Sequence, residues 1–317
     1  MTSRDTRPIS HVAHPWPAVP YDEWSATGDT LHMHTQVLGK LAVALAPQQW
    51  QLEHAALRLT ARGWETAPLP IPDRSGAFVA ALDLHAHEAV VERSDGRARR
   101  IPLTPNRSVG AVTRDVLAAV ESLAGPVRIN PRPQEVQWDI PLDEDDKHST
   151  YDPALVSSYF AAASSAAQVL AALRGPFRGR SSPVDAWWGS FDLAVHFFNG
   201  RPAKPHTHDF IARNSANAEQ IVVGWWPGDA RYQRAAFYGF AFPAPDNFEK
   251  GKLAPSSARW EPTLGEYILD WDDVIARPDP HLAALEFGRS VIAYACTVCD
   301  WDSVLATSAQ GIPPPVQ

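Results

Sequence analysis

Cysteine is almost missing from this chain: Cys296 and Cys299 are the only two in 317 residues. A secreted disulfide framework is thereby excluded. No apolar run approaches the roughly 20 residues that span a bilayer. The opening Met1-Thr2-Ser3-Arg4 has no apolar stretch behind it, so no signal peptide is expected. These absences lead to the expectation of a soluble, cytoplasmic protein with no membrane partner. Positive charge is not in excess either. The formal net charge is −8, which argues against a broad basic face for nucleic acid. The short basic runs Arg97–Arg100 and Arg174–Arg180 read as solvated loop charge. No glycine-rich phosphate loop and no Walker or Rossmann fingerprint occurs, so a nucleotide cofactor is not indicated.

What is present is ample apolar material, 45% of the residues, enough for one large domain or two of ordinary size. Residues 1–20 carry four prolines and read as an extended lead-in. Tyr21 to Lys40 suggests a helix with a glycine stop at Gly39. Strand-like runs follow at 41–45, 55–60, 78–84 and 89–93. Ser94-Asp95-Gly96-Arg97 is a hairpin turn, because Asp-Gly tolerates the positive φ that tight turns need. Val109 to Leu123 has helical spacing and ends at Gly125. Residues 127–153 mix prolines and acids, as a linker or an ordered crossover loop would. Pro153 to Leu173 reads as a long alanine-rich helix capped by Tyr151 or Asp152. Strands are expected at 191–198, 221–225 and 236–242, and a last helix from about Pro280 to Val298.

Strands come in runs and do not alternate with helices. The expected class is therefore α+β, with antiparallel sheet flanked by helices. Two similar helix–strands–helix lobes, 21–130 and 151–305, would share one compact unit, with a tail over 306–317. A composition richer in arginine than lysine suggests a GC-rich bacterial source.

The sharpest local pattern is the polar cluster among aromatics at Gly189–Asp192. On a strand, Ser190, Asp192, Ala194 and His196 share one face. They do not form a hydrolase triad: Asp192 and His196 are four residues apart, so their backbones are roughly 13 Å apart, and no nucleophile elbow exists. Three His-x-His pairs occur: His32/His34, His85/His87 and His206/His208. The first lies in a predicted helix, where residues two apart diverge. The others sit in polar turns, and none matches a known zinc spacing. Cys296 and Cys299 fit a buried helical stripe better than a redox pair. Twelve tryptophans, densest at Trp187-Trp188 and Trp225-Trp226, suit a core and also pocket walls.

Several fragments together resemble a known bacterial family. They include Trp16-Pro17, Thr30-Leu31-His32, Thr35-Gln36, Gly39-Lys40, Asp145, His148 and Tyr151-Asp152-Pro153. Further along come Ser182-Pro183-Val184, Trp188 to Ala194, Trp226-Pro227-Gly228, Ala236-Phe237-Tyr238 and Leu264-Gly265-Glu266. The chain resembles domain of unknown function family 5996 from about residue 15 to 303. The resemblance implies matching polar positions at His32, Gln36, His87, His148, Ser190, Asp192 and Glu219. It implies two departures, since relatives carry histidine where this chain has Asp185 and Ala218. From this follows an expected small-molecule enzyme. Its catalytic groups would be His32, His148, Asp192 and Glu219; its substrate contacts would be Gln36, Ser190, Trp187, Trp188 and Trp226. A divalent metal held by Asp185, His32 and His148 is a variant of this reading, in which a carboxylate replaces a histidine. The alternative is a non-catalytic protein that binds a small ligand. An aromatic-rich scaffold is a third reading.

Overall fold

The computed structural model describes residues 16–205 and 207–306. Most of the expected lead-in, His206 and the tail beyond Ala306 lie outside the described residues. Seven α-helices are described: α1 Tyr21–Leu45, α2 Val109–Ala124, α3 Pro153–Arg174, α4 Phe210–Ser215, α5 Trp271–Ile275, α6 Pro280–Val298 and α7 Ser303–Ala306. The first half of the chain supplies strands β1 Leu57–Leu59, β2 Gly63–Glu65, β3 Leu69–Pro70, β4 Ala77–Asp83, β5 Glu88–Arg93 and β6 Ala98–Pro102. The second supplies β7 Arg180–Ser181, β8 Asp185–Trp187, β9 Asp192–Pro202, β10 Ala218–Trp226, β11 Ala236–Phe242, β12 Arg259–Glu261 and β13 Glu266–Asp270.

All pairs are antiparallel, and the fold is α+β. One sheet runs β12-β13-β11-β10-β9-β8-β1-β2-β4-β5-β6, with β3 added beside β4 and β7 beside β9. The halves meet at β1 and β8, where Leu57 lies opposite Ala186 and Arg58 opposite Asp185. Side chains alternate across a strand. One face carries Trp64, Leu82, Val91, Val195, Val223, Trp225 and Phe237, all buried against the helices. The opposite face differs between the halves. In the first half it carries charges such as Glu65, Glu92 and Arg100. In the second it carries a mixed set that builds the site.

The helices begin where the chemistry dictates. Asp152 accepts hydrogen bonds from the Ala154 and Leu155 amides, at 2.8 and 3.3 Å, and Pro153 opens the first turn. Asp279 and Pro280 repeat the device for α6, and Ser108 caps α2. By length and composition α3 could cross a membrane. Here its buried side packs on β9, β10 and α6. Cys296 is buried in α6 and Cys299 half-buried beside it, both as free thiols.

One boundary corrects the sequence reading. α1 does not stop at Gly39; it runs on to Leu45, so the expected strand at 41–45 is its last turns. The missing side chain is a packing device. A Cβ on Gly39 would lie 2.1 Å from the Trp188 indole, which rests on the bare helix and donates from Nε1 to the Ala55 carbonyl at 3.0 Å. Residues 127–150 form an ordered crossover. Its carbonyls at Asp145 and His148 accept from the Gly110 and Val109 amides at the start of α2, at 2.7 and 2.8 Å.

Alanine is the better helix former by about 1 kcal/mol, but overpacking costs about 1–3 kcal/mol. A Cβ 2.1 Å from the indole puts the cost at the upper end of that range, so Gly39→Ala is expected to lower stability by about 1–2 kcal/mol in urea denaturation after the propensity gain is subtracted. A neutral or stabilised variant would contradict the packing account.

Candidate functional site

The site starts at the turn between β8 and β9. Phe191 sits there at φ +59°, a conformation that a bulky residue rarely adopts. Its ring lies nearly parallel to four others: His32 at 4.9 Å, Tyr159 at 5.2 Å, Trp64 at 5.3 Å and Trp24 at 6.3 Å. His32 also holds the turn. Its Nε2 lies 2.9 Å from the Trp188 carbonyl and 3.0 Å from that of Gly189, so this nitrogen carries the proton. Burial pushes the His32 pKa down to about 4, and the ring is neutral at pH 7.

The turn reverses the chain so that Asp192 emerges on the opposite face of the sheet. Asp192 is buried and accepts hydrogen bonds from the hydroxyls of Ser190 and Tyr238. Tyr238 belongs to β11, two strands away, and reaches Asp192 across β10. Gly224 on β10 makes that possible: it pairs directly with Tyr238, and a Cβ there would lie 2.4 Å from the phenol oxygen. Desolvation raises the Asp192 pKa to about 6, although both hydroxyl bonds favour its ionised form.

Over this face lies a cavity of about 760 Å³. Trp187, Trp226, Tyr238, Phe240 and Phe242 form aromatic walls, while α4 and Leu264 close other sides. Glu266 on β13 lines it, half-buried, and desolvation followed by the Asp192 charge raises its pKa to about 8. A second cavity of about 400 Å³ lies beside α1, with Trp24, His32, Trp138 and Phe191 in its lining. Glu135, Ser190 and Arg231 line both cavities and mark their junction.

Glu135 arrives from the crossover. Gln36 on α1, fully buried, grips the adjacent residue twice: its Nε2 donates to the Gln134 carbonyl at 2.7 Å, and its Oε1 accepts from the Gln134 amide at 2.9 Å. Glu135 itself has φ +59°, and a Cβ on Gly189 would lie 2.3 Å from its carboxyl oxygen. Glycine at 189 thus lets the carboxyl settle on the turn. Enclosure, then the charges of Asp209 and Asp192, raises the Glu135 pKa to about 8. Glu135 is nevertheless an exposed residue, so water screens that push and the direction, upward, is what the geometry supports.

The structure separates several residues that the sequence grouped. Ser190 and Asp192 stand together, with Trp187 and Trp226 in the same cavity wall. Trp188 does not line a cavity; it is sealed between α1 and the sheet. Gln36 is a clamp on the crossover and has both amide atoms occupied. His148 pairs through Nδ1 with Asp145 at 2.7 Å and packs behind Trp138, at 4.8 Å between rings. Glu219 lies near the start of β10, bound to Asn199 at 2.7 Å and Arg201 at 2.9 Å. Trp226, level with Asp192, is seven residues further on, roughly 23 Å along the strand. The supposed metal set is not assembled either. Asp185 is fully buried and pairs with Arg58, while His32 spends Nε2 on backbone carbonyls and His148 spends Nδ1 on Asp145. Among the described residues no three His, Cys, Asp or Glu side chains are grouped to hold a metal ion.

Of the histidine pairs, His34 is buried on another side of α1 from His32. His87 lies 3.0 Å from the Tyr151 hydroxyl, and His85 packs edge-on to Phe160. Sequence reasoning missed Glu135, Glu266, Tyr238, Arg231 and Gln220. Glu266 and Tyr238 ended fragments that carried the family likeness, which was their only signal.

These shifts fix the pH dependence of stability. His32, His34 and His196 are all lowered to about 4, so folding resists their protonation and stability falls as pH drops from 6.5 toward 4. Glu266 is raised from 4.5 to about 8 and Asp192 from 3.8 to about 6. The folded chain holds those protons more tightly, so stability also falls as pH rises toward 8. Above pH 6.5, where the histidines are neutral in both folded and unfolded chains, urea midpoints are expected to fall as pH rises toward 8. Glu266→Gln should flatten that decline; a wild-type midpoint that climbs over that range would contradict the assignment.

Compared with known proteins, the chain matches the family described as "Family of unknown function (DUF5996)" over residues 16–308, nearly its whole length. No curated protein and no solved structure matches it. The chain belongs to this family, the one that its motifs resemble.

Proposed function

We propose that this member of a family of unknown function is a cytoplasmic acid–base enzyme acting on a small organic molecule in the cavity over β9–β11. One observation carries the reading. Asp192 and Glu266 line one cavity, with pKa values of about 6 and about 8, on opposite sides of neutrality. Two carboxyls whose surroundings push their pKa values apart supply a base and an acid at one pH. At pH 7 Asp192 is mainly ionised and acts as the base. Glu266 is mainly protonated and acts as the acid, with Glu135 at the cavity junction as a further carboxyl.

The remaining residues position these groups and the Glu135 carboxyl. Tyr238 and Ser190 orient Asp192 through its two oxygens. His32 fixes the turn, and as a neutral ring with pKa about 4 it is a weaker base than a free histidine. Gln36 fixes the crossover that delivers Glu135. The aromatic walls exclude water from the substrate's apolar body, which strengthens the polar contacts. The free thiols and the packing of α3 inside the fold support the cytoplasmic assignment. Nothing in the site calls for nucleic acid or a membrane surface as partner.

Purified protein incubated with a small-molecule extract and followed by mass spectrometry tests the reading. A compound should be consumed, with a bell-shaped rate profile whose limbs fall near pH 6 and 8. Asp192→Asn should slow consumption by about 10²–10⁴-fold. A compound retained stoichiometrically but never consumed would make the protein a binding module instead.

A further inference from the structure

The two joined cavities are short of positive charge. Among the described residues that line them, the carboxylates are Glu135, Asp192, Glu266, Asp29 and Asp229, and the only Arg or Lys is Arg231. Arg231 is already engaged: its Nε lies 3.0 Å and its Nη2 2.6 Å from Asp229 Oδ2. Asp192 has hydroxyl partners and no cation. Carboxylates withdrawn from water are stabilised by a paired positive charge, and here the protein supplies too little of it.

Two side chains of the cavity wall carry further polar atoms that the protein leaves unpaired. Gln220 and Trp187, 4% and 6% exposed, both line the larger cavity. The Gln220 Oε1 and the Trp187 Nε1 have no hydrogen-bond partner in the protein. Buried polar atoms without partners are uncommon, and two in one cavity wall are consistent with a site built for an occupant. The walls between them are the faces and edges of Trp226, Tyr238, Phe240 and Phe242. Aromatic faces attract organic cations.

From these features we infer that the cavity takes an organic cation, an amine or guanidinium on an apolar body, with its positive charge set among Asp192, Glu135 and Glu266. A bare divalent ion fits less well. It needs six or more oxygens converging on one point, whereas these carboxyls approach from β9, from the crossover and from β13. An extended organic cation can reach groups that far apart while its body lies on the aromatic wall. Binding also draws protons out: Glu266 ionises when a positive charge arrives, so amine uptake near pH 7 releases protons to solvent. The inference rests on the acid–base reading only for the location of the site; the charge of the ligand is a separate claim.

The test uses the full-length protein and matched probes: phenethylamine, agmatine and spermidine against phenethyl alcohol and phenylacetate, with Mg²⁺ and Ca²⁺ as further arms. Binding is followed at pH 7 by calorimetry in phosphate and in MOPS, whose ionisation heats differ and neither of which carries a net positive charge. At least one amine should bind tenfold or more tighter than the matched alcohol or acid, with a buffer-dependent heat that reports proton release. Glu266→Gln should weaken that amine about tenfold and leave thermal unfolding cooperative. Gln220→Leu, a change outside the charged group, should alter amine affinity less than Glu266→Gln does. Amines that bind no better than their neutral or acidic counterparts overturn the inference, as does stabilisation by Mg²⁺ or Ca²⁺ that equals the amine effect and shares its sensitivity to Glu266→Gln. A neutral compound that binds and is consumed would remove the cation claim while leaving the acid–base reading intact. Amine binding without consumption of any amine would do the reverse.

Discussion

The Phe191 ring is the point through which the two halves of the molecule are joined. It touches Trp24 and His32 of α1, Trp64 of β2 and Tyr159 of α3, so one side chain contacts elements from both halves of the chain. The backbone at φ +59° costs about 1–3 kcal/mol. Burying a phenylalanine returns about 1.5–3 kcal/mol, and each aromatic pair adds about 0.5–1.5 kcal/mol. The stack outweighs the strain. The strained turn in turn throws the next residue, Asp192, to the other face of the sheet. Core and site are thus two faces of one decision about where Phe191 goes.

The outer face of the second half-sheet then sets the chemistry. Gly224 leaves a trough across which Tyr238 reaches Asp192, and Gly189 leaves a seat for the Glu135 carboxyl. Both glycines serve close approach and not chain flexibility. The result is an aromatic cavity with several carboxyls and one guanidinium that is already paired. Protons take the place of the missing positive charge, which is why Asp192 and Glu266 stay protonated to higher pH than free carboxyls. The same protons supply the acid–base capacity of the site.

Much of the fold was legible in the sequence because it is local physics. Asp152-Pro153 and Asp95-Gly96 carry their own geometry, and Gly96 does adopt φ +88°. Runs of strands without alternating helices gave the α+β class. Gly39 was misread because a glycine that ends a helix and one that admits an indole look alike in one dimension. That Asp192 belongs to a polar cluster walled by aromatics was readable from its neighbours. Its partners were not, because the register that puts Gly224 opposite Tyr238 appears only once β10 and β11 pair. Glu135 lay in a proline-rich stretch without periodicity, and only the grip of Gln36 on Gln134 turns that stretch into part of a site. Glu219 and His148 were drawn in by likeness alone, and strand length and the Asp145 contact place them elsewhere.

The central claim is that carboxyls in this cavity keep their protons into the neutral range. A ¹³C NMR titration of the aspartate and glutamate side-chain carboxyls measures this directly. The account predicts resonances titrating near pH 6 and near pH 8, the first lost in Asp192→Asn and the second reduced in Glu266→Gln. If every carboxyl instead titrates within the ordinary range around pH 4, the cavity is an ordinary solvated surface and the account is wrong.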